Sequence, residues 1–177
     1  MKVLCIQGSL NSDSNTNTLL RAAFDRLEGV KKSFLDLREV KLEFCDGRDL
    51  ADYHEDLQVA AKEVEQSDAY VIGMPVYCYS VSGALKNFLD ITCSGMENKP
   101  FAIVCAAGGE RSYLATADLQ KILLFEVRCR PFPRVVFATG KDFKDGKVTN
   151  AEVNKRLDQL AEEFVAWAKL DVQRGAS

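Results

Sequence analysis

Residues 3–27, "VLCIQGSLNSDSNTNTLLRAAFDRL", decide how the whole chain is read. Val3–Ile6 is a short apolar run, the pattern of a strand covered on both faces. Leu20, Ala23, Phe24 and Leu27 then recur at helical spacing, with Gly29 available as a stop. Joining the two takes a turn and one capping residue, for which Ser14 or Asn15 suffices. The connection also carries Ser9, Asn11, Ser12 and Thr16, a surplus of hydroxyl and amide groups. Taken alone, such a stretch is an ordinary capped polar turn. At the start of a helix, where unpaired N–H groups and partial positive charge gather, the same groups suit a phosphate.

The unit repeats along the chain. Ser33–Leu37 reads as a second strand, 41–44 is short and ambiguous, and the polar "CDGRDLADYHED" (45–56) leads to Leu57, Ala60, Ala61 and Val64 on a second helical face. Ala69–Met74 is a third strand, followed by a helix on Leu85, Phe88 and Leu89 that Ser82 can cap. Phe101–Ala106 and Leu119, Ile122 and Leu123 make a fourth unit. Val135–Ala138 is the fifth strand, "TGKDFKDGK" (139–147) reads as a surface turn, and Val153, Leu157, Leu160, Ala161, Phe164 and Ala168 stripe a final helix.

Five buried strands alternating with five helices predict an α/β fold with an open, doubly wound parallel sheet and helices on both faces. In the common five-strand order 2-1-3-4-5 the ligand crevice opens at the carboxyl ends of strands one and three. The connections after strands one, three and four are then expected to converge. No linker or low-complexity stretch interrupts the 177 residues, so residues 1–177 are read as one domain.

Composition narrows the function. A net charge of −3 argues against nucleic-acid binding, which calls for a basic surface. No apolar run approaches the roughly 20 residues that span a bilayer, and no signal-like leader opens the sequence, so a cytoplasmic protein without membrane contact is expected. Six cysteines without a C-x-x-C pair, and one histidine, predict free thiols and no metal site. Cys5 and Cys105 fall inside apolar runs and are expected to be small core residues.

The connections after strands three and four are unusual in their own way. In "PVYCYSVSGALKNFLD" (75–90), Pro75 is expected to end the strand, Tyr77 and Tyr79 supply flat amphipathic surface for a planar heterocycle, and Ser80–Gly83 lets backbone come close to a ligand. In "AAGGERSY" (106–113), Gly108 and Gly109 permit positive φ and bring peptide groups next to a ring.

With these three stretches in this order, the chain resembles the NAD(P)H-dependent FMN reductases of the flavodoxin-like fold, which include quinone, azo-dye and chromate reductases. The resemblance implies that Ser9, Asn11, Ser14, Asn15 and Thr16 hold an FMN phosphate. It implies that Pro75, Val76, Tyr77, Cys78 and Tyr79 line the isoalloxazine, and that Ala107, Gly108 and Gly109 cover its other polar edge. Asn11 stands where members often carry arginine, which leaves the phosphate to neutral donors and the helix terminus, as in flavodoxins. Ser82 stands where members often have proline. The resemblance also implies a homo-oligomer, a dimer or tetramer, and NADPH or NADH as co-substrate. FMN is expected over FAD, because no G-x-G-x-x-G fingerprint follows strand one.

The expected activity is transfer of electrons from NAD(P)H through FMN to a small acceptor such as a quinone, an azo compound, a metal oxyanion or free flavin. The flavin carries the hard chemistry, so no side chain is assigned as catalytic acid or base. An electron carrier of the flavodoxin type and a flavin-free binding module on the same fold are the alternatives. His54 is expected to be solvated, Lys86 and Asp90 to face each other at i, i+4, and Arg128, Arg130 and Arg134 to serve helix ends.

Overall fold

The computed structural model describes residues Met1–Gly175; Ala176 and Ser177 of the expected single domain lie outside the described residues. The main sheet comprises β1 (Lys2–Gln7), β2 (Lys31–Asp36), β3 (Ala69–Tyr77), β5 (Pro100–Ala107) and β6 (Arg130–Thr139), with the two-residue β4 (Ser80–Val81) paired to the end of β3. Its order, β2-β1-β3-β5-β6, is all parallel and equals the expected 2-1-3-4-5 once β4 is set aside. β7 (Phe143–Lys144) and β8 (Lys147–Val148) form a separate hairpin. The helices are α1 (Asn15–Arg26), α2 (Glu55–Glu65), α3 (Gly83–Thr92), α4 (Thr116–Val127) and α5 (Ala151–Gly175).

Strand alternation builds two cores at once. Val3 and Cys5 pack with Leu19, Leu20, Leu160 and Phe164 under α1 and α5. Leu4 and Ile6 pack with Leu57, Leu85, Phe88 and Leu119 under α2, α3 and α4. Burial on both faces explains why the strands read as unbroken apolar runs. The same burial pushes the Cys5 and Cys105 thiols up to about 12, as expected of inert core cysteines.

Two strand bounds differ from expectation by more than two residues, β2 (Lys31–Asp36) begins two residues before its expected Ser33, and the ambiguous stretch 41–44 resolves. Pro75 does not end β3, which continues two residues to Tyr77. The last β1 partner is Gly73, and Pro75 faces the same edge two residues on, where β1 has ended and no ladder bond needs its missing N–H. β6 begins at Arg130, five residues before the expected start, and tolerates Pro131 and Pro133 because it is the sheet's outer strand. Residues 41–44 form no strand. Instead, the Asn87 amide on α3 donates to the Glu43 carbonyl at 2.8 Å and accepts the Cys45 N–H at 2.8 Å, holding that segment against α3.

Of the residues given structural readings, Lys86, Asp90 and Arg128 behave as expected, whereas His54 is half-buried and Arg130 and Arg134 lie in strand β6 and not at a helix end. His54 caps α2, its Nδ1 accepting the Asp56 N–H at 3.2 Å. Lys86 and Asp90 pair at 2.5 Å. Arg130 and Arg134 pair with Asp171 and Glu163 of α5, and Arg128 ends α4 in the left-handed conformation.

Candidate functional site

The parallel order makes β1 and β3 neighbours while their helices α1 and α3 lie on opposite faces, so a crevice opens where β1 and β3 end. Two glycines let its walls approach. The Gly8 N–H donates to the Gly73 carbonyl at 3.0 Å. A Cβ on Gly8 would lie 2.8 Å from that carbonyl oxygen and 2.9 Å from Leu85 Cδ2. On the other wall a Cβ on Gly73 would lie 3.0 Å from Leu20 and 3.2 Å from Thr16, so the first turn of α1 rests directly on β3.

The loop entering α1 is highly ordered by its own groups. Ser14 caps the helix, its Oγ accepting the Asn17 N–H at 3.1 Å and its carbonyl the Thr18 N–H at 3.1 Å. Helix geometry leaves the Asn15 and Thr16 N–H groups without intrahelical acceptors at the positive end of α1. Ser9 Oγ accepts the Asn11 N–H at 3.3 Å, and Asn11 Oδ1 accepts the Asp13 N–H at 3.0 Å. Beneath the loop, the fully buried Gln7 amide donates to the Ser9 carbonyl at 2.7 Å and accepts the Ser9 N–H.

Around this loop lies a cleft of about 220 Å³. Ser9, Asn11, Ser14, Asn15, Thr16, Pro75, Val76, Tyr77, Ala107 and Gly108 all line it, so the three stretches singled out in the sequence meet in space. Cys78, Tyr79 and Gly109 are not among its lining residues. Cys78 and Tyr79 form the tip of a β3–β4 hairpin, flanked by the Tyr77–Ser80 pair, with φ of 49° and 59°. Left-handed backbone at both central positions is the signature of a tight hairpin turn usually made by Asn-Gly. The hairpin is tied to α4 where Ser80 Oγ donates to Asp118 Oδ2 at 2.7 Å, a bond that with Lys121 holds the Asp118 carboxyl below its usual range.

The glycines after β5 act through space and not through φ. Neither Gly108 nor Gly109 has positive φ, correcting the expectation for this turn. A Cβ at either would meet nothing within 4 Å, so what they contribute is an open floor. The chain then turns into a short helix at Glu110–Ala115, where Tyr113 packs edge-on against Phe137 at 5.4 Å.

A fourth wall was not expected. Gly140 lines the cleft, and a Cβ there would also meet nothing within 4 Å. Behind it the buried Asp142 accepts the Thr139 N–H at 2.7 Å, the Thr139 hydroxyl at 3.0 Å and the Asn150 amide at 2.6 Å. Burial alone would raise the Asp142 carboxyl, but those bonds outweigh it and hold it below the usual range. The surface-turn reading of 139–147 therefore holds only at the β7–β8 tip, where Asp145 and Gly146 both take positive φ. The T-x-x-D spacing of Thr139 and Asp142, a capping-box pattern, was the available signal. Asp13 and Ala106 also line the cleft without having been singled out.

The chemistry of this donor set fits a phosphate linked to a planar group. Hydroxyls, an amide and a helix N-terminus converge at one end, and flat aromatic surface and side-chain-free backbone at the other. At about 220 Å³ the cleft is below the roughly 300–1,000 Å³ of most ligand pockets, so it is too small to enclose a large planar ligand completely. Among the described residues no group of His, Cys, Asp and Glu side chains could hold a metal ion, and no helix is long and apolar enough to cross a membrane.

Comparison with known proteins agrees with this geometry. An NAD(P)H-dependent FAD/FMN reductase of Geobacillus thermodenitrificans is 33% identical over 170 residues, covering 93% of this chain and 92% of that protein. An NADPH azoreductase of a Bacillus species is 27% identical, covering 94% and 92%. Among solved structures, the flavoenzyme NAD(P)H:(acceptor) oxidoreductase FerB of Paracoccus denitrificans superposes with a TM-score of 0.80 at 25% identity, covering 96% of this chain and 98% of that one. An archaeal flavodoxin shares the fold, with a TM-score of 0.62 at 17% identity, covering 92% and 98%. The profile of the NADPH-dependent FMN reductases matches residues 1–144, every wall of the cleft included. The chain thus belongs to the NADPH-dependent FMN reductase family, flavin-using oxidoreductases that draw electrons from a reduced nicotinamide.

Proposed function

We propose that the cleft between the Ser9–Thr16 loop and Gly140 is the FMN site, with the phosphate on Ser9, Asn11, Ser14, Asn15 and Thr16. In this reading Pro75, Val76, Tyr77, Ala107 and Gly108 flank the ring, Cys78, Tyr79 and Gly109 stand outside the lining and do not touch it, and small acceptors of the quinone or azo class collect the electrons. The observation that carries it is the meeting of three separate chain segments around one crevice at the β1/β3 switch. FMN, when bound, supplies the two-electron centre that a nicotinamide reduces and a second substrate reoxidises. The chain's own residues bind and orient. The α1 N-terminus and the hydroxyls attract the phosphate, and Gly108 and Gly140 leave room for flat stacking.

No side chain is assigned a proton-transfer role. Reading residues 1–177 as a single flavodoxin-like FMN-binding domain is supported by the single sheet that carries every wall of the cleft. A homo-oligomer, as a dimer or tetramer, is supported by the large apolar side chains left at the surface of the Glu110–Ala115 helix and of α4, notably Leu114 and the 80%-exposed Phe125. Six free thiols support a reducing, cytoplasmic setting. NADPH oxidation by the FMN-loaded protein with a benzoquinone or an azo dye tests the reading directly. Turnover that depends on added FMN supports it; flavin-independent turnover, or none, refutes it.

A further inference from the structure

The Ser9–Ser14 loop is anchored from a strand that contributes nothing to the cleft's lining. Asp36, the last residue of β2, is 3% exposed, and its carboxylate gathers donors from two directions. Gln7 Nε2 reaches Asp36 Oδ1 at 3.3 Å, and the same Gln7 amide clamps both backbone groups of Ser9. From the other side Arg38 grips the carboxylate, with Nε at 3.0 and 3.2 Å from its two oxygens, Nη2 at 2.5 Å and the backbone N–H at 3.0 Å. The remaining arm of the guanidinium, Nη1, donates to the Ser12 carbonyl at 3.2 Å.

The loop is therefore held at two points, Ser9 through Gln7 and Ser12 through Arg38, and both tethers end on one carboxylate. We infer that Arg38, fixed by Asp36, is a positioning residue that sets the shape of the Ser9–Ser14 loop and thereby its affinity for a phosphate. This rests on the reading of the cleft as an FMN site. Arg38 does not line the cleft, its guanidinium nitrogens bond Asp36 and Ser12, and the Asp36 carboxylate offsets its charge, so its action on a phosphate is indirect. A loop carrying Asn11 in place of a cation gains its phosphate contacts from hydroxyls and N–H groups, whose bonds fail when the loop shifts by about 1 Å. Burial would raise the Asp36 carboxyl, but the Arg38 contacts outweigh it and hold it below the usual range, so the pair stays ionic at neutral pH.

The test is a set of fluorescence titrations with FMN and with riboflavin, which lacks the phosphate, on wild type, Arg38→Met and Arg38→Lys. Thermal melts confirm that each variant is folded. Arg38→Met is expected to weaken FMN binding about tenfold, in the range seen when residues orienting a ligand shell are removed. Riboflavin binding should stay within about twofold. Arg38→Lys keeps the charge but not the fork, and is expected to remain about fivefold weaker than wild type for FMN. An unchanged FMN-to-riboflavin ratio in Arg38→Met, equal loss for both ligands, or full recovery by lysine would overturn the positioning role while leaving the FMN site intact. Wild type that binds riboflavin as tightly as FMN, or binds neither, overturns the reading of the cleft and this inference with it.

Discussion

The Ser82 hydroxyl donates to the Gly8 carbonyl at 2.8 Å and accepts the Leu85 N–H at 3.2 Å. One buried side chain thereby caps α3 and ties it to the loop that leaves β1, 74 residues earlier. Ser82→Ala is expected to lose the cap and strand the Gly8 carbonyl, destabilising the fold by about 1–3 kcal/mol. Urea unfolding measures this; a change below about 0.5 kcal/mol would mean that the tie contributes nothing.

The cleft's glycines should divide into two kinds. Gly8→Ala puts a methyl into the Gly73 carbonyl and Leu85, and is expected to cost about 1–3 kcal/mol of stability. Gly108→Ala enters open space and should leave the melting temperature unchanged while weakening flavin binding. Thermal melts paired with FMN titrations separate the two effects.

How much of this was legible beforehand depends on where the signal sits. The alternation of five buried strands with helices could be read because burial on both faces leaves unbroken apolar runs and helical stripes lie between them; the order 2-1-3-4-5 follows only as the common arrangement for that alternation. The continuation of β3 past Pro75 could not, because it depends on β1 having ended, a tertiary fact. The hairpin at Cys78–Tyr79 was hidden by its composition: neither residue favours positive φ, so the turn lacks the usual Asn-Gly cue. Gly140 lies in a polar stretch with the composition of a solvated turn, and nothing local shows that Asp142 is buried. Asp36 and Arg38 carry no motif; only the fold brings Arg38 to Ser12, 26 residues away.

That hairpin gives a third prediction. Two non-glycine residues held at positive φ cost of order 1–3 kcal/mol each, so the double substitution Cys78→Asn with Tyr79→Gly is expected to raise stability by about 1 kcal/mol or more. Neither side chain lines the cleft, so FMN affinity should change by less than about threefold, roughly 0.7 kcal/mol. A large loss of FMN affinity would show that the tip folds over the ligand.

Asp142 predicts a pH dependence. Its carboxyl is held below the value near 3.9 of an unfolded aspartate, so the stability it contributes is full at neutral pH. That contribution declines as pH falls below about 4 and on through its lower folded value. Asp142→Asn turns one acceptor oxygen into an amide donor facing the Thr139 N–H or the Asn150 amide, at an expected cost of about 1–3 kcal/mol at pH 7. The gap between wild type and variant should be constant from pH 7 to about 5 and shrink toward pH 3. A gap that widens in acid would contradict this assignment.

The most direct measurement is a pair of titrations, FMN and riboflavin, against wild type, Ser9→Ala and Thr16→Val. Valine keeps the methyl that packs near Gly73 and removes only the hydroxyl. A hydrogen bond to a charged phosphate contributes about 1.5–3 kcal/mol, so each variant should bind FMN roughly tenfold to a hundredfold more weakly and riboflavin as well as wild type does. Unchanged FMN affinity in both variants, or an equal loss for riboflavin, would show that residues 8–20 are a capped turn and not a phosphate cradle.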